Sequence, residues 1–277
     1  MDSLEVVSIP LVARITTTPN GYTKLVDIYY RCKDHYNIEI SLHFYELEWI
    51  DANMAGLLHA ILYKLNKENG LTFAIDVEYV KTKFEILFRN GFLKELLSIP
   101  DNSGTTVQLT TFNKDEDEKF VNFIEKDLLG NEGMKIRDIS KEKMTDHFLE
   151  VFTNVQIHAR TEDPIFGCGQ FFPKTKQLVF TLVDLGIGYL PPIEKHTKGK
   201  ITTAEQAINW AISGNSTKED APGGIGLKHL LAYCTQTASE FNIITGDAYW
   251  GNNLGEIGTR AVKPFCGTIV HLLFNCK

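Results

Sequence analysis

The sequence predicts an α/β protein built in two parts, residues 1–103 and 104–277. Three observations carry that prediction. Strand and helix patterns alternate with short connections through the first part. A cluster of turn formers, Pro100-Asp-Asn-Ser-Gly-Thr-Thr106, interrupts them, and a second run of strands and helices follows, punctuated by two glycine clusters. Alternation of this kind is the plan of a layered α/β fold, and turn formers between periodic segments mark a linker.

Composition narrows the class. At 277 residues the chain has room for two domains of ordinary size, and 43% hydrophobic with 23% charged residues is a globular balance. A net charge of −7 without a basic stripe argues against a general nucleic-acid binder; Lys195–Lys200 is the densest basic segment. Cys32, Cys168, Cys234, Cys266 and Cys276 are odd in number and lack C-x-x-C spacing. That argues against a disulfide framework or zinc site, and for reduced thiols in a cytoplasmic setting. The opening Met-Asp-Ser-Leu-Glu lacks the plan of a signal peptide, and no apolar run is long enough to span a bilayer, so no membrane partner is expected.

In the first part, Ile38–Phe44 alternates apolar and polar residues and reads as a strand. Trp49–Leu65 reads as a helix capped by Asp51 or Asn53, with Leu57, Leu58, Ile61, Leu62 and Leu65 on its apolar face and Gly70 as its stop. Leu71–Val77 is a second strand, and Val80–Leu97 has helical spacing interrupted at Asn90-Gly91. This order resembles the STAS domain of anti-sigma-factor antagonists. Trp49-Ile-Asp51 and Gly56-Leu-Leu58 match that family's turn, and Phe84-Glu-Ile-Leu-Phe-Arg-Asn-Gly91-Phe-Leu matches its closing helix. The family's phosphorylatable serine would fall at Ala52–Met54, where no hydroxyl stands. The resemblance therefore implies a docking or dimerisation layer, not a phospho-switch.

In the second part, Val107–Phe112 is a short strand and Asp115-Glu-Asp-Glu118 opens a helix running to Leu129, its acidic first turn suiting the helix dipole. Along His147–Arg160, Glu150, Asn154 and His158 recur every four residues and form one polar stripe among Phe148, Leu149, Val151, Phe152, Val155 and Ile157. Burying such groups unpaired is costly, so the stripe is either a satisfied seam between helices or a site. Ile165–Phe172 and Gln177–Val183 form a hairpin around Pro173–Lys176, which sets Asp184 at a strand end, followed by Gly186 and Gly188. A carboxylate there can accept a hydrogen bond from an exocyclic amine, and the glycines let the backbone turn tightly beside a flat ligand. A helix at Thr202–Ile212 leads into the polar run Ser213–Asp220, where Ser216, Thr217 and Lys218 offer hydroxyls and a positive charge. Pro222-Gly-Gly224-Ile-Gly226-Leu227 then opens a helix over Lys228–Ser239, a natural seat for phosphates. His147, His196 and His229 lack metal-ligand spacing, and Cys168 reads as a small strand residue.

Together these motifs resemble the GHKL family of ATP-binding domains, which includes gyrase, MutL, Hsp-type chaperones and histidine kinases. Glu150-x-x-x-Asn154, Asp184-x-Gly186-x-Gly188, Gly224-x-Gly226-Leu227 and a closing strand at Cys266-Gly-Thr268 through Phe274 arrive in the family's order. The resemblance implies a GHKL-type two-layer α/β sandwich with a mixed sheet. It implies ATP and Mg²⁺ as cofactors, Asn154 at the metal, Asp184 on the adenine amine, and Gly186 and Gly188 lining the adenine pocket. Thr268 would support adenine through a water, Gly224 and Gly226 would cradle the phosphates under a lid, and Glu150 would be the general base. No histidine stands in a phosphoacceptor context, and the chain ends with the closing strand, so the spacing of Glu150, Asn154 and His158 resembles best the anti-sigma-factor serine kinases. The Ser-Thr-Lys of the lid departs toward the ATPase members. The expectation is an ATP-binding, Mg²⁺-dependent regulatory protein with serine/threonine kinase or slow ATPase activity, acting through a protein partner such as a STAS-type or sigma-factor-like regulator. The alternative is a non-catalytic nucleotide sensor whose lid orders on ATP.

Overall fold

The computed structural model describes residues 7–130, 135–217, 225–254 and 259–277, with side chains at all of these except Ile157, His158 and Ile225. It is an α/β protein. The N-terminal part runs β1 (Val7–Pro10), β2 (Ala13–Ile15), α1 (Pro19–Cys32), β3 (Glu39–His43), β4 (Leu47–Ile50), α2 (Ala55–Asn69), β5 (Thr72–Ile75), α3 (Val77–Lys83) and α4 (Ile86–Arg89). Strands β1, β3 and β5 make a small sheet in the order β1-β3-β5, and β2 pairs with β4; all these pairings are parallel.

Local chemistry sets the helix ends. Thr18 accepts from the Gly21 N–H and Pro19 takes the first turn of α1. Gly70, in the left-handed region, ends α2 with its N–H on the Asn66 carbonyl at 2.8 Å. The helix expected from Trp49 starts later. Trp49 and Ile50 belong to β4, and a single 3₁₀ turn at Ala52–Met54 precedes α2. Asp51 makes no cap because its carboxylate is committed elsewhere, to the Thr17 N–H at 2.8 Å, the Thr17 hydroxyl at 3.1 Å and the Trp49 indole at 2.7 Å.

The C-terminal part runs β6 (Thr106–Phe112), α5 (Asp117–Phe123, continued by a π-helical turn over Ile124–Leu128), α6 (Lys141–His158), β7 (Ile165–Phe172), β8 (Gln177–Val183), α7 (Leu190–His196), α8 (Ala204–Ile212), α9 (Ile225–Gln236), β9 (Glu240–Gly251) and β10 (Thr259–Asn275). Among the described residues its sheet has the order β6-β7-β8-β10-β9. The expected mixed sheet is not found, because every pairing is antiparallel. Strands β8 and β9 do run the same way, but β10 inserts between them as the antiparallel partner of both.

Alternation along the strands gives this sheet two buried faces. Leu178, Phe180 and Leu182 of β8, with Val270, Leu272 and Phe274 of β10, form a front core with Phe148 and Phe152 of α6 and Leu230 of α9. Val183 and Ile269 point the other way and share a core with Leu25 of α1 and Leu57, Leu58 and Ile61 of α2. The protein therefore has helices on both sides of the central sheet, where the resemblance implied a two-layer sandwich preceded by a separate layer.

Polar groups pin this back contact. The fully buried Asn53 donates through Nδ2 to the Thr181 hydroxyl at 2.8 Å, and that hydroxyl meets His271 Nδ1 at 2.7 Å. The Ala52 N–H donates to Gln170 Oε1 at 2.7 Å, and the Ala52 carbonyl accepts from Asn90 Nδ2 at 3.0 Å and Cys168 Sγ at 3.3 Å. Ala52–Met54 thus docks on the chain's own sheet. Burial pushes the Cys168 thiol up to about 12 and the His271 imidazole down to about 3, so neither is a reactive or titrating group near neutral pH. No helix among the described residues is long and apolar enough to cross a membrane.

Candidate functional site

The site lies on the front of the sheet, where α6 and α9 meet the ends of β8 and β10. Helix α6 is capped by Ser140, which accepts from the Lys143 N–H at 3.3 Å, and starts at Lys141, six residues ahead of the expected His147. Its apolar residues Met144, Phe148, Val151, Phe152 and Val155 face the core. That orientation leaves Glu150 half-buried and Asn154, one turn on, 8% exposed. The Asn154 amide is placed with Nδ2 buried and without a hydrogen-bond partner among the described residues. An orphaned amide in a protein interior costs roughly 1–3 kcal/mol, so the seam between helices is not the satisfied one.

Asn154 lines a partly enclosed, largely apolar cavity. Its walls are Tyr189, Pro192 and Ile193 from α7 and its approach, Trp210 and Ala211 from α8, Asn215–Thr217 after α8, and Leu227 of α9. Four expected residues thus gather around one space: Asn154, Ser216, Thr217 and Leu227. Lys218 and Gly224 lie outside the described residues, as does the side chain of His158.

Asp184 sits beside this cavity and does not line it. Its side chain is buried, with Oδ1 accepting from the Gly186 N–H at 2.8 Å and Oδ2 from the Thr268 N–H at 3.1 Å, while its own N–H reaches the Thr268 carbonyl at 2.9 Å. Burial drives the carboxyl up to about 7, against the Gly186 and Thr268 hydrogen bonds that favour the charged form. Asp184 and Thr268, each expected on the adenine, bond to each other and form a clamp between the ends of β8 and β10. Gly267 completes it: a Cβ there would stand 2.0 Å from the Asp184 carbonyl oxygen.

Gly186 and Gly188 were expected to line a ligand pocket, and the structure places them against protein instead. The Ile187 N–H reaches back to the Ala159 carbonyl at 2.9 Å, which draws Gly186 onto the end of α6, and Gly188 turns beside Thr245. Thr245, which sequence reasoning missed, accepts from the Tyr189 N–H at 3.2 Å and donates to the Gly267 carbonyl at 3.1 Å, tying the cavity wall to the Asp184 clamp. Tyr189 and Trp210 were also missed. Burial and the neighbouring Asp184 raise the Tyr189 phenol above its ordinary value.

Glu150 is set apart from Asn154. It opens on a second groove between α6 and α9, with Lys143, Asp146, His147 and His229. Its methylene stem lies on Gly226 so closely that a Cβ at 226 would stand 1.9 Å from Glu150 Cγ. The first turn of α9 thus separates the two residues, with Gly226 on the carboxylate side and Leu227 on the cavity side.

Among the described residues no group of three or more His, Cys, Asp and Glu side chains could hold a metal by itself. A magnesium ion bound largely through phosphates and water needs few protein oxygens, and the Asn154 amide, whose Nδ2 is without a partner among the described residues and whose oxygen and nitrogen can exchange by a flip, fits that requirement. Neither a protein-family model nor a curated protein sequence matches the chain.

Proposed function

We propose that the protein is a GHKL-like, ATP-binding and Mg²⁺-dependent regulatory protein, with a STAS-like N-terminal part, that acts on a protein partner as a serine/threonine kinase or slow ATPase. The observation that carries this reading is Asn154: a buried side chain whose Nδ2 has no partner among the described residues, lining a cavity walled by Tyr189, Trp210 and the hydroxyl-bearing segment Ser216-Thr217. The motif order supports it, as does the pairing of β8 with β10, which brings Asp184 and Thr268 together at adjacent strand ends. The cofactor supplies a transferable phosphoryl group and the metal that neutralises it. Asn154 would hold the metal, Tyr189 and Trp210 would exclude water around the base, and Glu150 would orient a water or hydroxyl.

One observation favours the second reading, a non-catalytic nucleotide sensor. Glu150 rests on Gly226 and faces the outer groove, across a helical turn from Asn154. The two readings part in one experiment. ATP with Mg²⁺ is expected to raise the melting temperature, and Asn154→Ala is expected to abolish the Mg²⁺-dependent part of that rise. A wild type unmoved by millimolar ATP refutes the nucleotide reading. With binding established, release of phosphate that Glu150→Ala removes marks an enzyme, and binding without turnover marks the sensor.

A further inference from the structure

We infer that a half-enclosed cavity at the seam of the two parts binds a small organic anion, an apolar body carrying a carboxylate or phosphate. The cavity is walled by His59 of α2 and Phe92 and Lys94 from the turns after α4 on one side, and by Leu109 and Thr111 of β6 and Lys119 of α5 on the other. It shares no lining residue with the Asn154 cavity, and the inference does not rest on the nucleotide reading.

His59 marks the site. The first two turns of α2 read Ala-Gly-Leu-Leu-His-Ala-Ile-Leu, so an imidazole stands alone among apolar residues that are mostly buried. Its ring packs on Phe92 and Phe166, with centroids 6.0 and 5.5 Å apart, and its nitrogens make no hydrogen bond to any described residue. Burial first and the Lys94 charge second hold its pKa below the ordinary histidine value, so near neutral pH it is an uncharged ring with one N–H to donate. Leaving a largely buried polar group unbonded is costly, and a ligand that accepts from it offsets that cost. The charges beside it select an anion. Lys94 makes no ion pair with any described residue, while Lys119 is held in place by the Thr111 carbonyl and Glu116, each at 2.9 Å. Glu95 is the one carboxylate in the lining, against these two ammonium groups. Phe92 and Leu109 supply apolar wall that a bare inorganic ion would leave uncovered.

The test is an NMR titration of the full chain that reads the His59 ring signals. Benzoate and phenyl phosphate are the probes; benzyl alcohol lacks their charge, and acetate and inorganic phosphate lack their ring. At least one aromatic anion is expected to shift His59 saturably, and the one that does identifies the head group. Benzyl alcohol and the ringless anions are expected to bind about tenfold or more weakly, since the site uses both charge and apolar contact. Lys94→Gln, at an exposed position, is expected to weaken the aromatic anion about fivefold, the worth of one exposed charge contact. Lys114→Gln, on α5's approach but outside the cavity, is expected to leave binding unchanged. His59 signals that neither aromatic anion moves overturn the inference. So does binding that benzyl alcohol or the ringless anions match, or that Lys94→Gln leaves as it was.

Discussion

Replacing Asp184 by asparagine should flatten a pH dependence that this one carboxyl imposes on folding. Asp184 titrates near 3.8 in an unfolded chain and near 7 in the folded protein, because burial opposes its ionised form more than the two N–H bonds support it. Between those values the native state holds a proton that the unfolded state has released. The stability tied to that proton is complete below the unfolded value and is lost as pH rises through the folded one. A gap of about three pK units corresponds to about 4 kcal/mol. The asparagine side chain cannot titrate and keeps one acceptor for one of the two N–H groups, so the substitution carries a pH-independent cost of roughly 1–3 kcal/mol. Urea denaturation of both proteins at intervals from pH 4 to pH 8 gives the difference directly. Other carboxyls, such as Asp101, whose hydrogen bonds with Ser103, Thr106 and Arg89 outweigh the effect of its burial and hold it down at about 2, titrate alike in both and cancel. The wild-type advantage should shrink by several kcal/mol across the range. A constant difference would refute the burial argument for Asp184.

Two further substitutions probe the packing. Gly226→Ala should destabilise by roughly 1–3 kcal/mol although alanine favours a helix, because its Cβ would collide with the Glu150 stem; a double-mutant cycle with Glu150→Ala should recover much of that cost. Thr181→Val removes the hydroxyl that Asn53 and His271 share and leaves a buried amide and imidazole without it, for a loss of about 2–4 kcal/mol by chemical denaturation. Thr110→Val, at a half-buried position of β6, serves as the control and should change stability by under about 1 kcal/mol.

What the sequence disclosed follows from the range of the forces involved. The polar stripe of α6 is legible because helical spacing puts Glu150 and Asn154 in register before any tertiary contact exists, and Asp184 is legible because its apolar strand ends there. Helical spacing says nothing of what crosses the stripe, and α9 passes between its members. Tyr189 and Trp210 were missed because tertiary packing brings them to one cavity, which no local pattern records. Helix α1 had a local signal in Thr18-Pro19, and β9 had its alternation, but neither lies near a motif. The antiparallel sheet was not foreseen, because the insertion of β10 between β8 and β9 is a pairing across the whole C-terminal part. On the back of the sheet, Gln170, Thr181 and His271 are polar residues within apolar strands. That mismatch was the available sign that something other than solvent covers them.

That cover has a consequence for biosynthesis. Without α1 and α2, a newly formed central sheet would show Phe166, Val183, Ile244 and Ile269 to water, together with the side chains that Ala52 and Asn53 otherwise satisfy. Exposed strands of that composition invite association with other chains. Residues 7–97 leave the ribosome ahead of the strands they cover, so the sheet forms beside a surface already shaped to receive it. The N-terminal part is thus a lasting cover for the back of the sheet.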